Sequence, residues 1–432
     1  MILKKMLVLS LLTLGSCTVL SPQNAVFYAN IDNEHDQYVD VFVDGYGDIY
    51  PNAGFPSDPL LMGKPNNATG SILNQALHPE SQLCANENVY GATEAELLCD
   101  ALPPAPCNYN VTFPCDIPPA WTKAQQQLWE NRGKEIYQML LGSDKDEVLF
   151  LVHGFNNDYT DSNQWYEAQV ISRVRNLGHD PVVVRVFWDG FKNGVIGGSW
   201  GMAQVTGPLV GFKLRQLFNA FNAQVESNNT PYPKIRAFTH SSGAYVLAST
   251  FGNMYTVLPM MYDPDRRDRY YAELVQYRAN MTDQYFKVPH FADLRLGMIA
   301  PATPPNTFNG ISNNPRSTDY EHQAGTLTSN TTILMSINWK DKILNKYLGL
   351  SGINLLGNTV LGTDQDDYCA FMAPLPVQKD NIDAVYAFDF RGPGFRNGHG
   401  VSSYFSHEGK ASDFINLLFA QQIPSTHLIT CQ

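Results

Sequence analysis

The segment KIRAFTHSSGAYVLAST, residues 234–250, has the composition of a strand, a tight turn and a helix in succession. An apolar run leads into the turn THSSG, 239–243, and small residues then follow at helical spacing. A serine on such a turn stands with its hydroxyl exposed, as a nucleophile must. The usual pattern of this turn is G-x-S-x-G, and here Thr239 occupies the first glycine position. We predict that Ser241 is a nucleophile.

An acid and a histidine follow two later apolar runs. Asp341 comes just after TTILMSIN, 331–338, and His399 lies in the glycine-rich loop after AVYAFDF, 384–390. A histidine can take the proton of a serine hydroxyl, and a carboxylate can hold the imidazole in the required tautomer. Ser241, Asp341 and His399 therefore form a candidate catalytic triad in the chain order serine, acid, histidine.

Other residues compete for each role in this triad. Ser242 is the alternative nucleophile, although at the next position of the turn its side chain would face away. The remaining alternatives are His407 and His427 for the histidine, and Asp364, Asp366 and Asp367 for the acid. We expect His153 and His240 to hydrogen-bond the surrounding loops rather than to react.

Main-chain amides would stabilise the negative charge that develops on a substrate oxygen. The first candidate is the amide of Ser242, at the start of the helix after the turn. The second comes from the loop after EVLFLVHG, 147–154, and we assign it to Phe155. Removing one such donor typically costs about 10²–10³ in rate. This chemistry requires neither a metal nor an organic cofactor.

Six apolar runs would position these residues, and they alternate with helical stretches from about residue 121 onward. Their richness in Val, Ile, Leu and Phe is typical of strands buried on both faces. In chain order the runs cover 147–154, 181–188, 234–240, 294–301, 331–338 and 384–390. They predict an α/β fold with a mostly parallel sheet and helices on both faces. An amphipathic helix is predicted over 123–141, ahead of the first run. In such sheets, functional residues gather at the carboxyl ends of the strands.

Residues 18–120 lack this alternation and are rich in Pro, Asn and Gly. One alternating stretch, QYVDVFVDGYGDIYPN, predicts a hairpin whose turn begins at Asp44 and whose acidic face is solvated. Asp40, Asp44 and Asp48 do not have the spacing of an EF-hand calcium loop. We predict an irregular N-terminal extension packed on a main domain that covers 121–432.

The N-terminus has the layout of a secretion signal, with two lysines followed by the short apolar stretch Leu7 to Leu14. This stretch is too short to span a bilayer. It ends in Leu-Gly-Ser-Cys, which resembles a bacterial lipoprotein signal with Cys17 as the lipidated residue; the alternative is an ordinary signal peptide cut nearby. Residues 1–17 therefore predict an exported protein, in the periplasm or at the cell surface, anchored to the membrane by lipid.

The cysteine content agrees with export, and the charge bears on the class of partner. The cysteines besides Cys17 are Cys84, Cys99, Cys107, Cys115, Cys369 and Cys431. An even number of cysteines in an exported chain predicts disulfides, with local bridges within 84–115 and a possible tie of the C-terminus to the loop around Cys369, but the pairing stays open. A metal site is not expected at these cysteines, because the chain contains no C-x-x-C pair. The net charge of −12 argues against nucleic acid as a partner, because phosphate binding needs a basic surface.

Residues 147–420 resemble a bacterial α/β-hydrolase family of the esterase/lipase type, whose members mostly lack assigned substrates. The matching pieces are VLFLVHGFNND, the strand ending in Phe187-Trp188, THSSGAYVL, ILMSINWKDKIL and HGVSSYFSHEGKASDFINLL. In that family the histidine precedes an aromatic pair, here Tyr404-Phe405, and a final helix. The resemblance implies the α/β-hydrolase fold and a serine hydrolase that cleaves carboxylic esters.

The chain departs from the family pattern at three places. Thr239 replaces the first glycine of the turn, and Ser242 replaces the methionine or glutamine more often found after the nucleophile. Residues 251–290 look like an insertion that is dense in Tyr and Met. That insertion would suit either a cap over an apolar acyl pocket or a buried part of the core.

Two functions are compatible with these observations. The first is a membrane-anchored serine hydrolase that acts on small-molecule or lipid esters. The second is a surface lipoprotein that keeps a hydrolase fold for binding, without turnover. The first is favoured because a binding protein has no need of all three triad residue types at three strand ends. Esterase, lipase and amidase activities are not separated by the sequence.

Overall fold

Eight strands form one sheet, and helices pack against it. The structure, a computed structural model, describes residues 37–44, 47–51, 93–101, 119–157, 159–188, 190, 196–251, 290–303, 331–341, 343–344, 369, 384–390, 398–419 and 428–429. The predicted signal peptide with Cys17 lies outside these residues, as does nearly all of the predicted insertion at 251–290.

The sheet is parallel except at one edge. In chain order its strands are β1 (Tyr38–Val43), β2 (Glu147–Val152), β3 (Val182–Trp188), β4 (Lys234–His240), β5 (Asp293–Ile299), β6 (Thr331–Ile337), β7 (Ala384–Asp389) and β8 (Leu428–Ile429). Their spatial order is β1-β3-β2-β4-β5-β6-β7-β8. Only the pairing of β7 with β8 is antiparallel. Each of the six apolar runs forms a strand, so the prediction of an α/β fold with a mostly parallel sheet is confirmed.

The burial of the strands explains why their sequences are continuous apolar runs. Every residue of β3 and of β6 is buried, so side chains on both faces of these strands are removed from water. A strand buried on both faces reads as a continuous apolar run, not as an alternating one.

Along the chain, the described helices lie between successive strands. They are α1 (Thr93–Asp100), α2 (Pro119–Gly142), α3 (Tyr159–Trp165), a π-helix (Tyr166–Ile171), α4 (Ser172–Asn176), α5 (Ile196–Ser227), α6 (Gly243–Phe251), α7 (Val401–Tyr404) and α8 (Glu408–Phe419). The helix predicted over 123–141 is α2, which packs against α5. Gly133 allows this approach, because a Cβ there would lie 2.6 Å from the main-chain nitrogen of Phe221.

Within the described ranges, no helix has both the length and the apolar character that crossing a bilayer requires.

The stretch predicted as a hairpin turns back on itself only briefly, and its first arm is an edge strand of the sheet. Strand β1 pairs in parallel with β3, and among the described residues the returning arm makes an antiparallel bridge between Val43 and Ile49, with the Tyr50 amide donating to the Phe42 carbonyl at 3.0 Å. The turn itself is present, since the Asp44 amide donates to the Asp48 carbonyl at 2.9 Å. The local alternation was read correctly as extended chain, but the partner of that chain is a strand far away in the sequence.

The prediction of a solvated acidic face was wrong, because Asp44 and Asp48 are buried. The indole of Trp121 donates to Asp48 Oδ2 at 2.9 Å, and Lys213 Nζ lies 3.7 Å from Asp48 Oδ1. These partners belong to α2 and α5, which cover the turn. Burial raises the pKa of Asp48, although Lys213 opposes that rise.

Both cysteines that the structure describes, Cys99 and Cys369, are in disulfide bonds. Cys99 lies in α1, and Cys369 packs against the hydrophobic core.

Candidate active site

Ser241 lies at the carboxyl end of β4, directly before α6, in a left-handed backbone conformation. Its φ is 55°, a region that residues other than glycine rarely occupy and that costs on the order of 1–3 kcal/mol. Hydrogen bonds hold this conformation on both sides of the residue. The Ser241 amide donates to the Ile299 carbonyl at 2.9 Å, and the Ser241 carbonyl accepts from the amides of Ala244 at 3.1 Å and Ala302 at 3.2 Å.

Gly243, the last residue of the turn, leaves space for the Thr239 side chain. The Thr239 hydroxyl is buried and donates to the Val152 carbonyl at 2.8 Å. A Cβ on Gly243 would lie only 2.0 Å from that hydroxyl oxygen and 2.6 Å from the His153 carbonyl oxygen. One glycine of the G-x-S-x-G pattern is therefore indispensable here, whereas the other position accepts a threonine that bonds to the neighbouring strand.

His399 connects the serine to the acid. Its Nε2 lies 2.7 Å from Ser241 Oγ, and its Nδ1 lies 2.8 Å from Asp341 Oδ2. A carboxylate only accepts hydrogen bonds, so Nδ1 carries the proton and Nε2 is free to accept from the serine hydroxyl. The structure thus brings together the three residues that the sequence selected, from the ends of β4, β6 and β7.

Asp341 is fully buried and is held by the turn that contains it and by α7. Its Oδ1 accepts from the amides of Ile343 at 3.0 Å and Leu344 at 3.1 Å. Its Oδ2 accepts from the Tyr404 hydroxyl at 2.7 Å, in addition to His399. Burial by itself would raise the pKa of Asp341, but His399 and these hydrogen bonds outweigh it and hold the pKa below its usual value. The carboxyl group is therefore ionised at neutral pH.

The two residues predicted to supply main-chain amides, Ser242 and Phe155, belong to segments next to Ser241. Ser242 directly precedes α6, and the first amides of a helix have no partner within the helix. The loop after β2 passes close to the turn, since a Cβ on Gly154 would lie 2.8 Å from Ser241 Cβ. Phe155 is the next residue of that loop. Ser242 is thus the neighbour of Ser241 in the chain, and Phe155 is the neighbour of Gly154, which approaches Ser241 in space.

The peptide between Gly154 and Phe155 is held in one orientation by side chains. The Gly154 carbonyl accepts from His153 Nδ1 at 2.9 Å and from Asn157 Nδ2 at 3.2 Å. In a trans peptide the N–H points opposite to the C=O. Fixing the Gly154 carbonyl therefore also fixes the direction of the Phe155 N–H.

His153 joins the loops after β2 and β3, as predicted from the sequence. Its Nε2 accepts from the Trp188 amide at 3.0 Å, and the Trp188 indole donates to the His153 carbonyl at 2.7 Å. The two rings are stacked with centroids 5.6 Å apart. With Nε2 as acceptor, the neutral ring carries its proton on Nδ1, which is the atom that donates to Gly154.

Of the residues that compete for these roles, the structure describes Ser242 and His407. The Ser242 side chain is fully buried, and its hydroxyl has no hydrogen-bond partner. His407 is exposed, just before α8. His427, Asp364, Asp366 and Asp367 lie outside the described residues.

Two contacts of the site were not predicted. Tyr404 was noted only as part of an aromatic pair, and the hydrogen bond from its hydroxyl to Asp341 was missed. His240 was expected to hold a loop, but its partner, the main-chain carbonyl of His399 at 2.6 Å, was not identified. No local pattern marks either contact, because each joins residues far apart in the chain.

In the part of the chain that the structure describes, no group of three or more His, Cys, Asp or Glu side chains is placed to hold a metal ion.

Comparison with known proteins found no match: no protein-family model, curated protein or solved structure is similar to the chain. The resemblance to an α/β-hydrolase family therefore stays a prediction from the motifs quoted above.

Proposed function

We propose that the protein is a serine hydrolase with an α/β-hydrolase fold and that it cleaves carboxylic esters. The observation that carries this proposal is the hydrogen-bonded chain Ser241–His399–Asp341, with distances of 2.7 and 2.8 Å, on a serine whose φ is 55°. Such a chain activates a hydroxyl that is otherwise a weak nucleophile. The left-handed conformation costs free energy, which is typical of a functional position.

In the proposed reaction, Ser241 Oγ attacks the ester carbonyl carbon while His399 Nε2 takes the hydroxyl proton. The carbonyl oxygen becomes negatively charged and is stabilised by the amides of Ser242 and Phe155. The bond to the leaving alcohol then breaks, and His399 returns the proton to the alcohol, which leaves an acyl-enzyme. Water repeats the sequence on the acyl carbon, so the products are the acid, the alcohol and free Ser241.

Asp341 stabilises the imidazolium form of His399 during both steps. It keeps the Nδ1–H tautomer and supplies an opposite charge at 2.8 Å, without itself taking the proton. A carboxylate that already accepts hydrogen bonds from the amides of Ile343 and Leu344 is preorganised for this role.

The proposed cellular setting comes from the N-terminal pattern. The residues before Cys17 would be removed, Cys17 would become the lipidated N-terminus, and the mature protein would act outside the cytoplasm on small-molecule or lipid esters, held at a membrane by its lipid anchor. No metal or cofactor takes part in the proposed mechanism.

A fluorophosphonate probe tests the proposal without knowledge of the substrate. The probe is expected to label the wild type and to leave Ser241→Ala unlabelled. Ser249→Ala is a matched control: this serine lies in α6, is fully buried, and has a hydroxyl without a partner, so its removal should leave labelling unchanged.

Equal labelling of wild type and Ser241→Ala would show that the nucleophile is wrong. A wild type that is folded by circular dichroism but takes no label would favour the binding function instead. A labelled wild type would then be assayed with p-nitrophenyl esters of increasing acyl length, which separates short-chain from long-chain substrates.

A further inference from the structure

We infer that His240 is a positioning residue for the catalytic base: its Nε2–H holds the main-chain carbonyl of His399 and so sets where the imidazole stands relative to Ser241. This inference rests on the proposed function of the same site. It assigns to His240 an effect on reaction rate and not only on folding.

The contact is short, buried and of defined direction. His240 Nε2 lies 2.6 Å from the His399 carbonyl oxygen, and only 5% of the His240 surface is exposed. A carbonyl oxygen cannot donate, so Nε2 must carry the hydrogen. The two imidazole rings are in contact and tilted by 48° to each other, with centroids 4.9 Å apart.

This contact closes a ring of interactions around the nucleophile. His240 and Ser241 are joined by a peptide bond, Ser241 Oγ lies 2.7 Å from His399 Nε2, and the His399 carbonyl returns to the His240 side chain. The main chain of His399, the base, is thereby held by His240, the residue that precedes the nucleophile. A shift of the loop that carries His399 would have to break this hydrogen bond before it could separate the base from the serine.

The second anchor of the base is on its side chain. Asp341 binds Nδ1, and it fixes the rotation of the ring but not the position of the His399 backbone. The loop reaches the site from a separate strand, β7, and continues into α7. A main-chain anchor next to the serine therefore restricts a degree of freedom that Asp341 leaves open. Proximity of this kind contributes directly to rate, because a misplaced base lowers the fraction of reactive geometries.

His240 is suited to the role because it stays neutral. Burial and the nearby His399 lower the pKa of His240 to about 3; His153 adds to this effect, whereas the hydrogen bond to His399 and the charge of Asp341 oppose it. The Nε2–H donor of His240 is thus present on an uncharged ring at neutral pH. When His399 becomes an imidazolium during the reaction, the neutral ring of His240 adds no second positive charge next to it.

The experiment compares two substitutions of similar length in the full-length protein. His240→Gln keeps an N–H donor near the position of Nε2, whereas His240→Met removes it. For each variant the second-order rate constant of fluorophosphonate labelling and the labelled fraction at completion are measured, together with Tm. We expect Met to slow labelling about five- to ten-fold, the effect of losing one hydrogen bond, with the labelled fraction still complete. We expect Gln to recover the rate to within about three-fold of the wild type.

The results that would overturn the inference are distinct from those that bear on the proposed function. A purely structural role would lower Tm and the labelled fraction of His240→Met while the rate constant of the folded fraction stays at the wild-type value. A Gln variant as slow as the Met variant would also contradict a donor role. A folded wild type that takes no label at all would overturn the proposed function and this inference with it.

A measurement on the wild type tests the same inference without any substitution. In protein labelled with ¹⁵N-histidine, the ring nitrogens of His240 should report the neutral Nε2–H tautomer from pH 8 down to about pH 5. An Nδ1–H tautomer, or titration of His240 within this range, would rule the inference out even if the Met variant did not fold.

Discussion

Asp341 illustrates how a fully buried carboxylate can remain ionised. It accepts two amide hydrogen bonds on one oxygen and bonds from Tyr404 and His399 on the other. A buried charge without such partners would be strongly disfavoured. The same bonds orient the carboxylate toward His399, so the stabilisation of the charge and the geometry of the site have one physical origin.

Asp341→Asn should therefore abolish most of the activity without removing the side-chain volume. The amide would favour the wrong tautomer of His399 and would not stabilise its charged form. We expect the rate of ester hydrolysis to fall by about 10⁴, measured as kcat under saturating substrate. Asp180→Asn is the control, because Asp180 is an exposed surface carboxylate that pairs with Lys145, and this variant should hydrolyse esters at the wild-type rate.

The same substitution predicts a pH dependence of stability. The pKa of Asp341 is lowered by folding, so its charge stabilises the folded state above the ordinary pKa, and this contribution is lost as the pH falls through the folded value. The difference in Tm between the wild type and Asp341→Asn should be largest above about pH 5 and should shrink toward pH 3. A difference that stays constant or grows on acidification would contradict the assignment.

At the scale of elements, the site depends on how closely α6 starts to the end of β4. Gly243, the first residue of α6, lies against the Thr239 hydroxyl and against the carbonyls of His153 and Val152. A hydroxyl can move, but the two carbonyls are part of strand β2 and its following loop. The turn therefore accepts variation at position 239 and not at position 243.

Gly243→Ala should consequently destabilise the protein, by about 1–3 kcal/mol or more, because the added Cβ would overlap main-chain atoms. Gly409→Ala is the matched control, since Gly409 lies in α8 with nothing within 4 Å of an added Cβ. It should leave Tm unchanged or slightly raised. The double variant Thr239→Ala/Gly243→Ala should recover only part of the loss, because the His153 carbonyl remains 2.6 Å away. Full recovery would mean that the hydroxyl alone sets the limit.

At the scale of the whole molecule, strand β1 is joined to the rest of the sheet through the buried guanidinium of Arg185. Strand β1 lies at the edge of the sheet beside β3, and Asp40 stands opposite Arg185 in the register. The fully buried guanidinium of Arg185 donates to both carboxylate oxygens of Asp40, at 2.6 and 2.7 Å, and also to Glu167 at 3.0 Å. Paired donors of this geometry form strong, directional ion pairs.

Asp40→Ala should therefore lower the free energy of unfolding by about 1.5–3 kcal/mol, because a buried guanidinium loses two charged hydrogen bonds while Glu167 still compensates part of its charge. The control is Asp146→Ala, which removes an exposed pair with Lys234 and should change stability by no more than about 0.5 kcal/mol. Urea unfolding monitored by tryptophan fluorescence measures both. Equal effects of the two substitutions would mean that β1 is not held by this pair.

The sequence by itself determined the six strands β2 to β7 and the order of the candidate triad. Strands buried on both faces must be apolar along their whole length, and the carboxyl ends of parallel strands meet at one edge, so residues such as Ser241 and His399 could be selected from local patterns alone. The left-handed turn was likewise marked by its small residues, even with Thr239 in place of a glycine.

Only the tertiary structure decided the contacts between distant parts of the chain. The bond of Tyr404 to Asp341, the anchor from His240 to His399, and the burial of Asp48 beside Lys213 each depend on which elements become neighbours in space. A hydrogen bond needs an approach of about 3 Å between particular atoms, and residue type and spacing do not specify such an approach between distant parts of the chain. For the same reason, the alternating segment around Asp40 could be recognised as a strand, whereas its parallel partner could not.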